Sequence, residues 1–472
     1  MKNNYIEKSL DAYSNEVEKR YHMPGHKAAF AWEPLENALK YDVTEVDGTD
    51  NLMHPEGAIK LFMDEMTGFY KTKRTYISVN GSTGALMAAI STVCDRGDKV
   101  IVQRDAHKSI YNAIGLLDLK TTYVYPKIDS NWRVPMGVDV EEISSAIKSN
   151  IEAKALILTH PNYYGFGQNL DEIVKLAHEA GLYVIIDEAH GAHLPFYEQE
   201  NIKSALDSNA DLVVQSYHKT LPALTQTAVL HLNTDKIDHK KLEKKLFTFQ
   251  TTSPSYLLMN SMEYAFEFMR DDGAELLEIL GDKIDSLSER LQKIDGCEIY
   301  NIKSTNKNIE NTKDFTKLLI SVEGYSGYEL EKILRNNYKI QVEMADFKCV
   351  VLILTVADTI SDLERFYEIV EKICKDRPEH SVIKNIACNV RPEVKMTVAE
   401  AFSAACKNVR LKKASGEIAA NFVIPYPPGT PIVVPGELID DEVICCIEHL
   451  IEAGHEILGV DDGYIDIIIE RM

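Results

Sequence analysis

Between about residues 75 and 232, short apolar runs alternate with longer amphipathic stretches, and this alternation constrains the chain more than any other feature. The runs Lys99–Val102, Ala155–Thr159, Tyr183–Ile186 and Leu212–Gln215 have the length and β-branched content of buried strands. Helical material separates them, as in 170–180, where Leu170, Ile173, Val174 and Ala177 share one face. Strands alternating with helices imply a parallel sheet with helices on both faces. Such sheets bind ligands beyond the carboxyl ends of their strands. Chemistry is therefore expected in the residues that follow each run.

After about residue 245 the pattern changes at Ser253-Pro254. Leu257–Met269 and Ile284–Ile294 read as two amphipathic helices, and Lys317–Val322 and Val350–Thr355 as strands of a second, smaller α/β domain. The charged segment Asp376–His380, with Pro378, marks a further boundary. Beyond it lies Pro425-Tyr426-Pro427-Pro428-Gly429-Thr430-Pro431, a rigid extended segment because proline fixes φ, followed by the strand-like Ile432–Val434. The expected division is 1–245, 246–375 and 376–472, and 472 residues are too many for one simple core.

No run is long and apolar enough for a transmembrane helix, and the N-terminus lacks a secretory signal, so a cytoplasmic protein is expected. The eight cysteines include no C-x-x-C pair and are read as free, mostly buried thiols. A net charge of −22 disfavours nucleic acid and anionic membrane as partners and would attract small cations.

Four segments at strand ends carry the candidate chemistry. Lys219, in Ser216-Tyr217-His218-Lys219-Thr220, follows the run ending at Gln215; burial there would favour the neutral amine, which can form a Schiff base with an aldehyde. Alone, a lysine after a strand is usually an exposed charge. Asp187 ends the preceding apolar run, placed to meet a ligand nitrogen or simply to cap a turn. A carboxylate in that role keeps the pyridine nitrogen of pyridoxal 5'-phosphate (PLP) protonated and the ring electron-poor. Asn80-Gly81-Ser82-Thr83-Gly84, between a strand-like and a helix-like stretch, suits a phosphate, while the missing Walker lysine and G-x-G-x-x-G disfavour nucleotides. His107, in Arg104-Asp105-Ala106-His107, stands where an imidazole would stack on a cofactor ring, although a lone histidine is more often structural.

These segments, with His22-Met23-Pro24-Gly25-His26-Lys27, Asp42–Leu52, Pro425–Gly429 and Val434-Pro435-Gly436-Glu437, resemble the PLP-dependent ornithine/lysine/arginine decarboxylases, in their compact bacterial form. The resemblance runs nearly end to end. It implies the aspartate-aminotransferase-like fold: an α/β large domain with a mainly parallel sheet, a smaller α/β domain and a C-terminal α+β domain. It makes Lys219 the Schiff-base lysine, Asp187 the partner of the pyridine nitrogen and His107 the group on the ring face. Ser82, Thr83, Ser216 and His218 become phosphate ligands, Ala189 packs under the ring, and His190 lies beside the cofactor where larger members carry an aromatic such as tryptophan. The resemblance also implies a homodimer or higher oligomer with a shared active site, to which Thr251, Thr252 or Ser253 of a neighbouring chain adds a hydroxyl, and places His22 to Lys27 at the entrance. The substrate is expected to be a cationic amino acid, arginine before lysine or ornithine, with Glu45, Asp47, Asp50, Glu343 and Asp346 as acids that would face its tail. Competing readings are transamination or retro-aldol cleavage on the same scaffold, for which Arg391 is the candidate carboxylate-binding arginine; a non-catalytic protein of the same fold; and a metallohydrolase using His190 and His193. No metal is expected, since Pro24 and Gly25 keep His22 and His26 off a common helical face.

Overall fold

The apolar runs form one seven-stranded sheet. Its strands are β1 (Arg74–Ser78), β2 (Lys99–Gln103), β3 (Lys120–Val124), β4 (Ala153–Thr159), β5 (Tyr183–Asp187), β6 (Leu212–Ser216) and β7 (Ala228–Leu232), in the spatial order β1-β7-β6-β5-β4-β2-β3. All neighbours are parallel except β7, which runs antiparallel to both β1 and β6. The computed structural model describes residues 5–28, 38–198, 202–300, 313–378, 390–426, 430–452 and 456–469. Pro427, Pro428, Gly429 and Cys388 lie outside them.

Both faces of the sheet are buried, and the period-two alternation of side chains divides them. Leu156, Leu158, Val184, Ile186 and Val213 face one core, while Ala155, Ile157, Ile185, Leu212 and Val214 face the other. Helices α1 (Ala58–Tyr70), α2 (Gly81–Val93), α3 (Lys108–Leu117) and α4 (Leu170–Glu179) cover the sheet. Lys219 lies on the single turn α5 (Tyr217–Thr220), directly after β6.

The two helices expected after residue 256 are one, α6 (Tyr256–Leu291), of 36 residues. Its buried stripe runs without a break through Met269, Gly273, Leu277, Leu280, Ile284, Leu287 and Leu291 at spacings of three and four. Gly273 contributes no apolar side chain, and charged neighbours surround it, so the stripe looks interrupted in sequence. A four-stranded antiparallel sheet follows: β8 (Cys297–Ile299), β9 (Lys317–Val322), β10 (Met344–Ala345) and β11 (Val350–Ile353), ordered β10-β11-β9-β8. Helix α7 (Ile360–Lys375) follows this sheet. The C-terminal region carries α8 (Val398–Ser403), α9 (Asp441–Glu452) and a small antiparallel sheet. Ile432–Val434 is not a strand; Val433 makes only an isolated bridge to Val423. Cys446 is disulfide-bonded where a free thiol was expected, because spacing does not reveal which cysteines meet in space.

Buried histidines tie the sheet to its loops. His160 donates from Nε2 to the Lys203 carbonyl at 3.0 Å and accepts the Gln168 amide on Nδ1 at 3.2 Å, so the neutral ring satisfies both partners. Burial pushes its pKa down to about 4. A histidine with a lowered folded-state pKa contributes stability above its unfolded pKa near 6.5 and loses it as pH falls toward 4. Wild type is therefore expected to lose about 1–2 kcal/mol more than His160→Gln between pH 7 and pH 5 in urea denaturation. Equal losses would contradict this assignment.

Candidate active site

The carboxyl ends of β2, β5 and β6 bring His107, Asp187, His190, His218 and Lys219 within electrostatic reach of one another. Lys219 is partly buried, with Nζ 3.0 Å from His190 Nε2 and 5.6 Å from the centre of the Tyr163 ring. Burial lowers the lysine pKa; Asp187 and Glu343 oppose the shift and Lys317 adds to it. The site thus favours a neutral, nucleophilic amine. Asp187 is buried at the end of β5, where its Oδ1 accepts the Ala189 amide at 3.1 Å. Burial raises its pKa, and the charge of Lys219 pulls it back. Such a carboxyl is short of a cationic partner, which a protonated ring nitrogen would provide.

Three imidazoles surround the amine. His107 caps α3, its Nδ1 accepting the Ser109 amide at 3.2 Å, and burial followed by the charges of Lys219 and Lys108 lowers its pKa to about 4. His218 bonds through Nδ1 to the Thr227 carbonyl at 3.1 Å, and burial lowers its pKa to about 4 as well. His190 is held further below the ordinary range, first by burial and then by Lys219. All three rings are neutral at pH 7.

Two buried polar atoms at this site have no partner: Ser216 Oγ and His190 Nδ1. An unsatisfied buried hydroxyl costs about 1–3 kcal/mol unless a ligand bonds it. Ser82 and Thr83 occupy the first turn of the thirteen-residue helix α2, where free amides attract an anion. A primary amine, an acid for a ring nitrogen, a flat imidazole and hydroxyls at a helix start fit a phosphorylated pyridine aldehyde. The arm carrying His22 to Lys27 closes over α5. Gly25 donates its amide to the His218 carbonyl at 2.8 Å, and a Cβ there would meet the Leu221 carbonyl oxygen at 2.6 Å, so only glycine fits.

Comparison with known proteins decides what this cleft belongs to. Residues 6–319 match the model "Orn/Lys/Arg decarboxylase, major domain", and residues 381–459 match the C-terminal domain of the same family. The chain belongs to the Orn/Lys/Arg decarboxylase family. The arginine decarboxylase of Bacillus subtilis is 33% identical over 470 residues, covering 97% of this chain and 96% of that protein. The lysine decarboxylase LdcF of Francisella novicida superposes with a TM-score of 0.78 at 19% identity, covering 99% of this chain and 83% of that one. A structure of SPT with PLP aligns with a TM-score of 0.57 at 16% identity, covering 75% of this chain and 84% of that one. The protein is accordingly a carboxy-lyase acting on a basic amino acid, with pyridoxal 5'-phosphate as its cofactor and the PLP-dependent transferase fold.

Within this decarboxylase the acids expected to face a cationic tail separate clearly. Asp50 caps α1, its Oδ2 accepting the amides of Gly57 and Ile59, each at 2.9 Å. Asp346 accepts the amides of Lys348 and Cys349 at 2.7 Å. Glu45 and Asp47 are exposed. Glu343 alone of the five bears on the charge of Lys219, while its Oε2 accepts the Met23 amide at 2.9 Å. Arg391 stacks over Tyr125 at 4.4 Å. His193 bonds Asp314 and His190 bonds Lys219, and among the described residues no group of three or more ligands could hold a metal.

Sequence reading missed two parts of the site. Tyr163, against His190 with ring centroids 4.5 Å apart, follows β4 by four residues and so lies where strand ends gather ligands. Behind His190, Asp314 takes Lys317 Nζ at 2.9 Å and His193 Nε2 at 3.1 Å, and Lys317 also reaches the His190 carbonyl at 3.4 Å. No pattern in the sequence ties 193 to 314.

Proposed function

We propose that the protein decarboxylates L-arginine to agmatine and carbon dioxide, serving polyamine biosynthesis in the cytoplasm. The observation that carries the choice of arginine is the 33% identity, over nearly both full lengths, to a relative named arginine decarboxylase, against 19% to the lysine decarboxylase structure. No described helix is long and apolar enough to cross a membrane.

Bound PLP supplies an electron sink for the pair left when the Cα–carboxylate bond breaks. Lys219 would bind it, Asp187 would keep its ring nitrogen protonated, and His107 would contact its ring. Ser82, Thr83, Ser216 and His218 would hold its phosphate, and Ala189 would pack against it. Lys219 Nζ, 3.0 Å from neutral His190 Nε2, would deliver the proton to Cα. Glu343 supplies the negative charge that meets the cationic substrate. Arg391, the candidate carboxylate-binding arginine of a transaminase, is stacked on Tyr125.

The working unit is a homodimer. Thr251, Thr252 and Ser253 are exposed and offer hydroxyls to a partner's site, and Leu39, Val43 and Val46 are exposed apolar side chains that a partner would cover. The chain divides at 245 and 375 into large, small and C-terminal parts. Carbon dioxide release from arginine, lysine and ornithine by the PLP-loaded protein tests the assignment. Release from arginine with at least about tenfold higher kcat/KM than from the others is expected; preference for lysine or ornithine would overturn the substrate.

A further inference from the structure

We propose that the C-terminal region positions the cofactor-facing imidazole of His107 by gripping the segment that carries it at both ends, with Arg104 as the principal positioning residue. This rests on the reading of His107 as a cofactor-ring contact.

The upstream grip is a guanidinium. Arg104 lies three residues before His107, with its side chain 7% exposed. Its Nη1 donates to the Pro431 carbonyl at 2.8 Å, and its Nη2 donates to the Ile432 carbonyl at 3.0 Å and to Glu437 Oε2 at 2.9 Å. The Glu437 side chain is 1% exposed and also accepts the Val434 amide at 2.7 Å. All three partners of the guanidinium belong to the C-terminal region. On its own side, Arg104 is fastened to α3: the Tyr111 hydroxyl donates to the Arg104 carbonyl, and Nη1 donates to the Tyr111 oxygen at 3.3 Å. The guanidinium also lies over the rings of Tyr111 and Tyr123 at 5.8 and 5.4 Å.

The downstream grip is steric. Helix α8 lies against the last turn of α3 at Gly115, where an added Cβ would meet Phe402 Cε2 at 2.9 Å and Val398 Cγ1 at 3.0 Å. Thr397 Oγ1 donates to Asp118 Oδ1, the residue that ends α3, at 2.9 Å. Between these two anchors stands His107, whose ring is oriented by the Ser109 amide of the helix it caps.

A buried ion pair is weak evidence for stability, because desolvation offsets much of its attraction. What Arg104 adds is direction: three acceptors in fixed places meet one planar fork, which locates the backbone of residue 104 and hence the start of α3. A ligand-facing ring is sensitive to displacements of about 1 Å. The Val434-Pro435-Gly436-Glu437 stretch therefore has a task at the cofactor site.

PLP titration of the apo-protein, followed by absorbance, tests this with Arg104→Lys, His107→Ala and the double variant, each checked by circular dichroism. Arg104→Lys keeps the charge but not the fork. Each single variant is expected to weaken PLP binding about tenfold, and the double variant no more than His107→Ala alone. Phe402→Ala, at a half-exposed position that tolerates truncation, should weaken binding in wild type and have no effect in the His107→Ala background. Additive losses would overturn the positioning role while leaving His107 as a cofactor contact. Unchanged binding in His107→Ala would instead overturn the reading of His107 itself, and the inference with it.

Discussion

Lys219→Ala is expected to lower the kcat for decarboxylation by about 10⁴-fold or more. The lysine is partly buried, its amine is biased toward the neutral form, and its nearest polar neighbour is a neutral imidazole 3.0 Å away. Alanine removes the nucleophile that binds the cofactor and the group that carries the proton, two roles that no other described amine of the cleft duplicates. Lys317 is spent on Asp314 at 2.9 Å, and Lys27 Nζ on the carbonyls of His22 and Ile353 at 2.8 and 2.9 Å. Lys219→Arg should lose about as much, because guanidinium does not deprotonate at accessible pH. The phosphate contacts remain in both variants, so PLP should still bind reversibly but should no longer stay attached after borohydride reduction. Activity within about a hundredfold of wild type would remove Lys219 from its proposed role.

Residues that follow buried strands were readable because the strands were. Lys219 and Asp187 come at the ends of β6 and β5, and the period-two burial that makes those runs apolar on both faces also identifies their ends. Ser82 and Thr83 were readable for a related reason: the glycines around them interrupt a strand-to-helix transition. The continuity of α6 was hidden because Gly273 keeps the stripe's spacing while supplying no apolar side chain. Asp50 looked like a free acid; helix capping consumes it, and local hydrogen bonding leaves no trace in composition. The Arg104 anchor depends on Pro431, Ile432 and Glu437, more than 300 positions away, as the charge network behind His190 depends on residues 193, 314 and 317. Contacts of that kind are properties of the folded chain, and a single sequence contains no periodicity that would announce them.

That network carries the largest expected effect on stability. Asp314 is fully buried, and His193 and Lys317 hold its carboxyl well below the ordinary range despite desolvation. Its Oδ2 takes Lys317 Nζ at 2.9 Å and the Thr316 hydroxyl at 2.8 Å, while Oδ1 takes His193 Nε2 at 3.1 Å and the Thr316 amide at 2.9 Å. Lys317→Met keeps the apolar stem and removes only the cation, leaving a buried carboxylate with its strongest partner gone. Breaking a buried pair from one side costs about 3–5 kcal/mol, whereas removing both charges costs much less. Urea denaturation should therefore show Lys317→Met destabilised by that amount, and adding Asp314→Asn should recover at least about 1 kcal/mol. Additive losses in the double variant would show that the two charges do not depend on one another. Lys317 also reaches the His190 carbonyl at 3.4 Å, so the same substitution should lower kcat while leaving PLP affinity within about threefold, because it loosens the imidazole that contacts Lys219 Nζ and touches none of the phosphate ligands.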